Sequence, residues 1–226
     1  MRIGTWNCHS GLGHKWDAVE ALDLDVLTVQ ECGPRTEEQV RSHTRWSAVW
    51  QQGTYRNGVA VLARSPFSLQ IDRDSEPFFI STLISGLERF RFVGVWTRTP
   101  TFLGDEYPRQ TSRMIEQLLG DRIPTVIAGD FNASSRNLNH LENVERLAAF
   151  GLVSAYHSFH GIDHTEDWEH ATSYHLWQES NRHHMDYVFV PAEWPIQSVE
   201  VGTFDAYSRS GGLSDHVPVV VTIGHM

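Results

Sequence analysis

Ile3-Gly4-Thr5-Trp6-Asn7 and Val26-Leu27-Thr28-Val29-Gln30-Glu31, with residues 8–25 between them, decide how this chain is read. Each is a short apolar run that breaks into a polar residue at its carboxyl end. Between them His14 to Leu22 spaces Trp16, Val19, Ala21 and Leu22 among charged residues, the pattern of a short amphipathic helix. The chain therefore opens strand, helix, strand, and two parallel strands need such a crossover.

The same alternation continues. Ser47 to Trp50 and Gly58 to Ala63 read as a strand pair joined by the polar stretch Gln51 to Asn57. Ser68 to Ile71, Phe78 to Ile84 and Phe90 to Thr97 read as further strands, the last stopped by Pro100. Tyr107 to Leu119 puts Met114, Ile115, Leu118 and Leu119 on one stripe, which predicts a helix ending at Gly120. Thr125 to Ala128 is a strand, and Leu141 to Phe150 a second long helix closed by Gly151. Phe159 to Ser173, polar and rich in His, Asp and Glu, reads as a long surface loop. Met185 to Val190, Ser198 to Thr203 and Val217 to Ile223 are three closing strands. No repeat, low-complexity tract or linker divides the sequence, so residues 1–226 are read as one mixed α/β domain built on sheets.

Composition bounds the possibilities. With 226 residues, 40% of them hydrophobic, the chain can bury a substantial core, which excludes a disordered protein. Lys and Arg total 18 against 28 Asp and Glu, a formal charge of −10 that disfavours non-specific adhesion to phosphate backbones. A cation and a local cluster of Arg can still reverse the field inside one cleft. Two cysteines, Cys8 and Cys32, are too few for a disulfide scaffold and lack metal-finger spacing. Each follows a polar residue at a strand end and reads as filling space behind it. No apolar run reaches the length of a signal peptide or membrane span, so the expectation is a cytoplasmic protein with no membrane contact and no obligate protein partner.

Chemistry gathers at the strand ends. Asn7, Glu31 and Asp130 each close an apolar strand, whereas Asp186 and the pair Asp215-His216 come just before strands. In an antiparallel sheet the start of one strand lies beside the end of its neighbour, so all six could line one edge, where α/β folds place their sites. Carboxylates gathered there would repel one another unless a cation sat among them. Hard oxygen donors point to Mg²⁺, with Mn²⁺ as a substitute. Zinc is disfavoured despite 13 histidines, since carboxylates rather than imidazoles hold the rim positions. Alone, each piece has an ordinary reading: Gly129-Asp130-Phe131-Asn132 as a turn, Asn7 as a cap, Ser214-Asp215-His216 as a polar loop. Their joint order is what points to a site.

Thr5-Trp6-Asn7, Val29-Gln30-Glu31, Gly58-Val59-Ala60-Val61-Leu62, Gly129-Asp130-Phe131-Asn132, Met185-Asp186-Tyr187-Val188-Phe189 and Ser214-Asp215-His216, in this order, resemble the endonuclease/exonuclease/phosphatase superfamily, which includes pancreatic deoxyribonuclease and the abasic-site endonucleases. The likeness covers nearly the whole chain. Phe150 to His157 and the His-rich stretch after it are similar to a little-described bacterial branch. The resemblance implies a four-layer sandwich of two mixed β-sheets packed face to face with helices outside. It also implies a Mg²⁺-dependent phosphoesterase, foremost a phosphodiesterase or nuclease on nucleic acid or nucleotides. The alternatives are a phosphatase or phosphodiesterase for a small-molecule or lipid-head-group ester, and a catalytically silent binding module of the same fold.

The resemblance also implies roles. Glu31, helped by Asn7, would bind the ion, with Asp215 near it; Asp130 would orient or deprotonate the attacking water; Asn132 would hold a phosphate oxygen; His216, positioned by Asp186, would stabilise transition-state charge. Where that family often has His or Tyr at the end of the middle strand, this chain has Trp96. Either its indole N–H contacts phosphate, or Tyr174, His175 or His184 takes over, or Trp96 simply packs. Arg98, Arg109 and Arg113 are candidate phosphate contacts or a solvated charged face. Trp50, Tyr55 and Trp177 either stack on a base or pack. His157, His160, His164, His170, His175, His183 and His184 read as a second metal site or pH-sensitive lid, or else as scattered solvent-facing imidazoles.

Overall fold

The first strand, β1 (Arg2–Asn7), leads through a 3-10 turn at Leu12–Lys15 into α1 (Trp16–Ala21) and returns as β2 (Val26–Cys32), parallel to β1, which is the predicted opening. The structure, a computed structural model, describes residues 1–53, 56–73, 75–86, 88–98, 106–118, 120–164, 170–209 and 212–224. In chain order there follow α2 (Thr36–Arg41), β3 (Trp46–Gln52), β4 (Gly58–Arg64), β5 (Ser68–Ile71), β6 (Phe79–Ser85), β7 (Arg89–Trp96) and α3 (Glu106–Leu118). Then come β8 (Thr125–Asp130), α4 (Leu138–Ala149), β9 (Leu152–Ser154), α5 (Ala155–His160), β10 (Ser173–Tyr174), β11 (Arg182–His183), β12 (Asp186–Pro191), β13 (Ile196–Val201), α6 (Phe204–Tyr207) and β14 (Val219–Ile223).

Two six-stranded sheets result, ordered β13-β14-β1-β2-β4-β3 and β5-β6-β7-β8-β12-β9. Each is mixed, with one parallel pair (β1 with β2, β7 with β8) among antiparallel neighbours. Alternation along the strands sorts the apolar side chains into layers. Ile3, Val61, Phe92, Val126, Ala128, Val188 and Val221 meet between the sheets. Trp6, Leu27, Val29 and Leu62 face outward under Trp16 and Val19 of α1 and Val40 of α2. On the far side Val93, Ile127, Tyr187 and Phe189 are covered by Met114, Ile115 and Leu118 of α3 and Leu147 of α4. Helix, sheet, sheet, helix is the four-layer order that the resemblance implies. Both sheet faces are buried, which is why the strands read as continuous apolar runs. Among the described residues no helix is long and apolar enough to cross a membrane.

The sequence reading missed α2, whose only buried apolar residue is Val40, and the short α5 and α6. The expected loop from Phe159 to Ser173 needs correction at both ends: α5 runs to His160, and Thr172 and Ser173 are buried. Tyr55, Pro100, Leu119 and residues 165–169 lie outside the described residues.

The histidines divide. His160, His170 and His175 are exposed, but His157 and His184 are buried and half-buried His164 stacks on His157 at 3.6 Å between ring centroids. His140 of α4 joins them, 4.8 Å from Tyr187, which also lies 4.8 Å from His184. Solvent-facing imidazoles are thus the wrong description for part of this set: these rings form an aromatic layer against the outer face of β12. Burial holds them neutral, pushing His140 down to about 3, His157 to about 4 and His164 to about 3.

An unfolded chain would protonate these imidazoles near their ordinary value of 6.5. Their contribution to stability is therefore complete above that pH and is lost as pH falls towards the folded values. Asp130, whose carboxyl is raised, works in the opposite direction, so the clean measurement is a difference. We expect His140→Phe to show a shallower fall of unfolding free energy from pH 6.5 to pH 4 than the parent, by up to about 1.4 kcal/mol per pH unit, in denaturant titrations. Parallel curves would refute a neutral buried His140.

Candidate active site

The rows of side chains that fill the space between the sheets end in polar groups at one rim. Val126 and Ala128 lead on to Asp130, and Ile3 and Thr5 to Asn7, whereas Asp186 stands at the start of the row that continues with Val188 and Val190. Register does the rest. Asp186 of β12 pairs with Asp130 of β8, and Asp130 with Trp96 of β7, so the two aspartates face each other across neighbouring strands. Gly129 lets β8 approach β7 here: a Cβ on it would lie 2.0 Å from the carbonyl oxygen of Val95.

Glu31 arrives differently. Simple alternation would send it outward with Leu27 and Val29. A bulge between Gln30 and Cys32 and a left-handed backbone at Glu31 (φ 59°) turn it to the rim instead. Its Oε1 there accepts a hydrogen bond from Asn7 Nδ2 at 3.2 Å, and the same nitrogen donates to Asp130 Oδ2 at 3.0 Å. Asn132, also left-handed (φ 46°), donates its backbone N–H to Asp130 Oδ1 at 2.9 Å and its side-chain Nδ2 to Asp130 Oδ2 at 3.0 Å.

His216 sits between the aspartates. Its Nδ1 donates to Asp186 Oδ2 at 2.8 Å, and Nε2 points towards Asp130 Oδ2 at 3.9 Å, with Ser173 Oγ 3.3 Å from Nε2. Among the described residues the other oxygen of Asp186 is buried with no partner. Backbone bonds fix the imidazole: Trp6 Nε1 donates to the His216 carbonyl at 3.1 Å, and the His216 N–H donates to Ser214 Oγ at 3.0 Å, which itself donates to the Asn7 carbonyl at 2.6 Å. Burial opposes a charge on His216, but the Asp186 and Asp130 carboxylates outweigh it and lift the imidazole to about 10. Burial raises Asp130 to about 7, with His216 pulling down and Asp186 pushing up. The site therefore pairs an imidazolium with a carboxylate able to exchange a proton near neutrality.

Towards solvent, Glu31 and Asp215 are partly exposed. Against burial, the hydrogen bond from His9 and the charge of His216 hold the Asp215 carboxyl below its ordinary value. Two reachable carboxylates beside amide oxygens are the donor chemistry of a hard divalent cation. Asp130, Asp186 and His216 also lie close enough to hold an ion, their ligand atoms within 4.8 Å of one another. In that group, though, His216 Nδ1 is already committed to Asp186.

Asn7, Glu31, Asp130, Asn132, Asp186, Asp215 and His216 thus converge from five separated stretches. The expected substrate contacts fare differently. Trp96 is 1% exposed and packs in the core between the sheets, Tyr174 is 8% exposed and packs on Phe204, and His184 is 3% exposed within the imidazole layer. Their rings support the rim and do not line it. Half-buried Arg98 does reach the region, its guanidinium 4.9 Å above the Trp96 ring and its backbone clasped by the Gln110 amide at 2.9 and 2.7 Å. Arg109 and Arg113 run along α3 beside Glu106.

Three participants escaped the sequence reading: Ser173 beside His216, His9 beside Asp215, and Tyr107 on α3. The Tyr107 phenol is raised by burial and then by the charge of Asp130, with Arg98 opposing, which puts its hydroxyl in the field of the site. Tyr107 stood at the start of a helix read for its apolar stripe, and nothing in its spacing tied it to Asp130. His9, two residues past Asn7, was visible but unremarked.

Comparison with known proteins agrees with this fold. The sequence model of the Endonuclease/Exonuclease/phosphatase family matches residues 4–216. No curated protein matches in sequence. Among solved structures, the chain superposes on a 3′ phosphatase, NExo, from Neisseria bound to product DNA hairpin, with 20% identity, TM-score 0.71 and 100% of both chains covered. It superposes on an AP endonuclease from Archaeoglobus fulgidus with 16% identity, TM-score 0.75 and the same full coverage. A mannosyl-6-phosphatase from Bacteroides thetaiotaomicron aligns over 100% of both chains with 15% identity and TM-score 0.69.

The charge on His216 is open to measurement in the ion-free protein. NMR of the imidazole nitrogens should find it protonated up to near pH 10, and Asp186→Asn should lower that value by roughly 2 units or more. An unchanged titration would remove Asp186 as its cause.

Proposed function

Because the chain belongs to the endonuclease/exonuclease/phosphatase family, matched over residues 4–216, we propose that it is a divalent-metal-dependent hydrolase of phosphate esters, first of all a phosphodiesterase acting on nucleic acid or nucleotides. The observation that carries this reading is the buried trio of Asp130, His216 and Asp186, with His216 bonded to Asp186 and facing Asp130, beside two accessible carboxylates, Glu31 and Asp215. Glu31 and Asp215, with Asn7 behind them, would hold Mg²⁺ or Mn²⁺. When bound, that ion neutralises phosphate charge and favours attack by water.

The remaining roles follow from position. Asp130, lifted to about 7, accepts a proton from the attacking water at neutral pH. The Asn132 amide spends both its Nδ2 protons, on the Thr97 carbonyl at 2.8 Å and on Asp130 Oδ2 at 3.0 Å, so it orients Asp130 and has none left for the phosphate oxygen the resemblance implies. His216, kept in one orientation by Asp186, would stabilise negative charge on the phosphoryl oxygens of the transition state. Arg98 and Tyr107 flank Asp130 and would contact the phosphate from the side of α3, in place of Trp96. Buried free thiols at Cys8 and Cys32 fit a reducing compartment such as the cytoplasm.

A second reading has its own support. The excess of acid, −10 overall, suits a small phosphate ester better than a long polyanion. The structural relatives include proteins described as phosphatases, one for mannosyl-6-phosphate and one for a DNA 3′ end.

Purified protein given Mg²⁺ or Mn²⁺ and a panel of single-stranded DNA, duplex DNA, RNA, nucleotides and sugar phosphates should cleave at least one. Chain scission without released phosphate supports the first reading, and phosphate release the second. Asp130→Asn and His216→Ala should each lower the rate at least ~10²-fold. Full turnover in excess chelator, or parental rates in both variants, would overturn the proposal.

A further inference from the structure

His9 stands at the rim with no task in the reading above. Its Nδ1 lies 3.1 Å from Asp215 Oδ1 and 4.0 Å from Glu31 Oε2, so one imidazole nitrogen reaches both carboxylates assigned to the cation. The ring is held there by local structure. Backbone at His9, Ser10 and Gly11 is left-handed in succession (φ 46°, 66° and 68°), which curls the segment back over the end of β1. The His9 N–H donates to Asn7 Oδ1 at 3.1 Å. Lys15 Nζ clasps the curl from below, donating to the carbonyls of Cys8 and of Ser10, the latter at 2.8 Å. Asn57 Nδ2 donates to Ser10 Oγ at 3.0 Å from the other side, and the Trp177 ring meets the imidazole edge-on at 5.4 Å.

Building on the metal-dependent reading, we propose that His9 is itself a ligand of the ion through Nδ1, and that the site therefore prefers a first-row transition ion, Mn²⁺, to Mg²⁺. Mg²⁺ seeks oxygen donors and gives up its water reluctantly, whereas Mn²⁺ accepts imidazole nitrogen beside carboxylates. The nitrogen lies 3.1 Å from one carboxylate and 4.0 Å from the other, so an ion shared among the three would replace the contact of His9 with Asp215. The ordinary ion pair of His9 with Asp215 is the rival account, and it makes no demand on the kind of metal.

Mn²⁺ loaded into the parent protein and into His9→Ala, followed by pulsed EPR, separates the two. Modulation from a directly bound imidazole ¹⁴N is expected in the parent and should vanish in His9→Ala while Mn²⁺ remains bound. Competition titrations should show the Mn²⁺ over Mg²⁺ preference falling about 10-fold or more in that variant. Bound Mn²⁺ lacking ¹⁴N modulation in the parent, modulation that persists in His9→Ala, or an unchanged preference would overturn the assignment. The proposed activity stands apart from this: turnover with Mg²⁺ but no ¹⁴N signal sinks the ligand and keeps the enzyme. A ¹⁴N signal with no turnover on any substrate does the reverse, and no Mn²⁺ binding at all sinks both.

Discussion

Two carboxylates, Asp130 and Asp186, are buried opposite each other by strand register, and the rest of the rim is arranged around that constraint. Neither could remain ionised there alone, since a buried unpaired charge is among the most costly features a fold can carry. His216 resolves the conflict by donating to one and facing the other. Taking away one partner of such a buried pair typically costs about 3–5 kcal/mol, so His216 belongs to the stability of this rim as much as to its chemistry. The surrounding donors point the same way. Asn7, Asn132 and Ser173 are each placed on an oxygen or nitrogen of this trio.

The sandwich supplies rigidity from both sides. Toward the interior the site is the continuation of apolar rows packed between two sheets, so its groups inherit the precision of β-sheet register. Toward the outside, the imidazole layer of His140, His157, His164 and His184 packs on Tyr187, the residue next to Asp186. Residues that must leave the regular pattern do so through left-handed backbone, at His9, Glu31 and Asn132. Each is a non-glycine in a sparsely populated conformation, held by hydrogen bonds, and such conformations concentrate at functional sites.

Much of this was legible in the chain. Apolar runs with polar ends located the strands, and the pairing of strand ends with strand starts correctly brought Asp186 beside Asp130, because antiparallel neighbours run past each other. Trp96 shows where that logic stopped. Sequence placed it at the end of the middle strand, level with Asp130, but whether its ring pointed to substrate or to the core depended on which residues closed over it. Gly53, more than forty residues away, and Arg98, two residues on, did so, and the first of these leaves no local trace.

By itself, then, the sequence determined the strand runs, the family likeness that implied the layer order, and which polar groups would reach one rim, since these rest on apolar runs and on the polar residues that break them. Only the tertiary structure decided that Glu31 turns inward through a bulge and that His9 reaches Asp215. It also decided that His140 from α4 joins histidines from α5 and beyond in one buried layer, and that Tyr107 shares the field of Asp130. Each of these depends on contacts between segments far apart in the chain, and side-chain direction at a bulge or across a helix-to-sheet interface leaves no periodic trace in the order of residues.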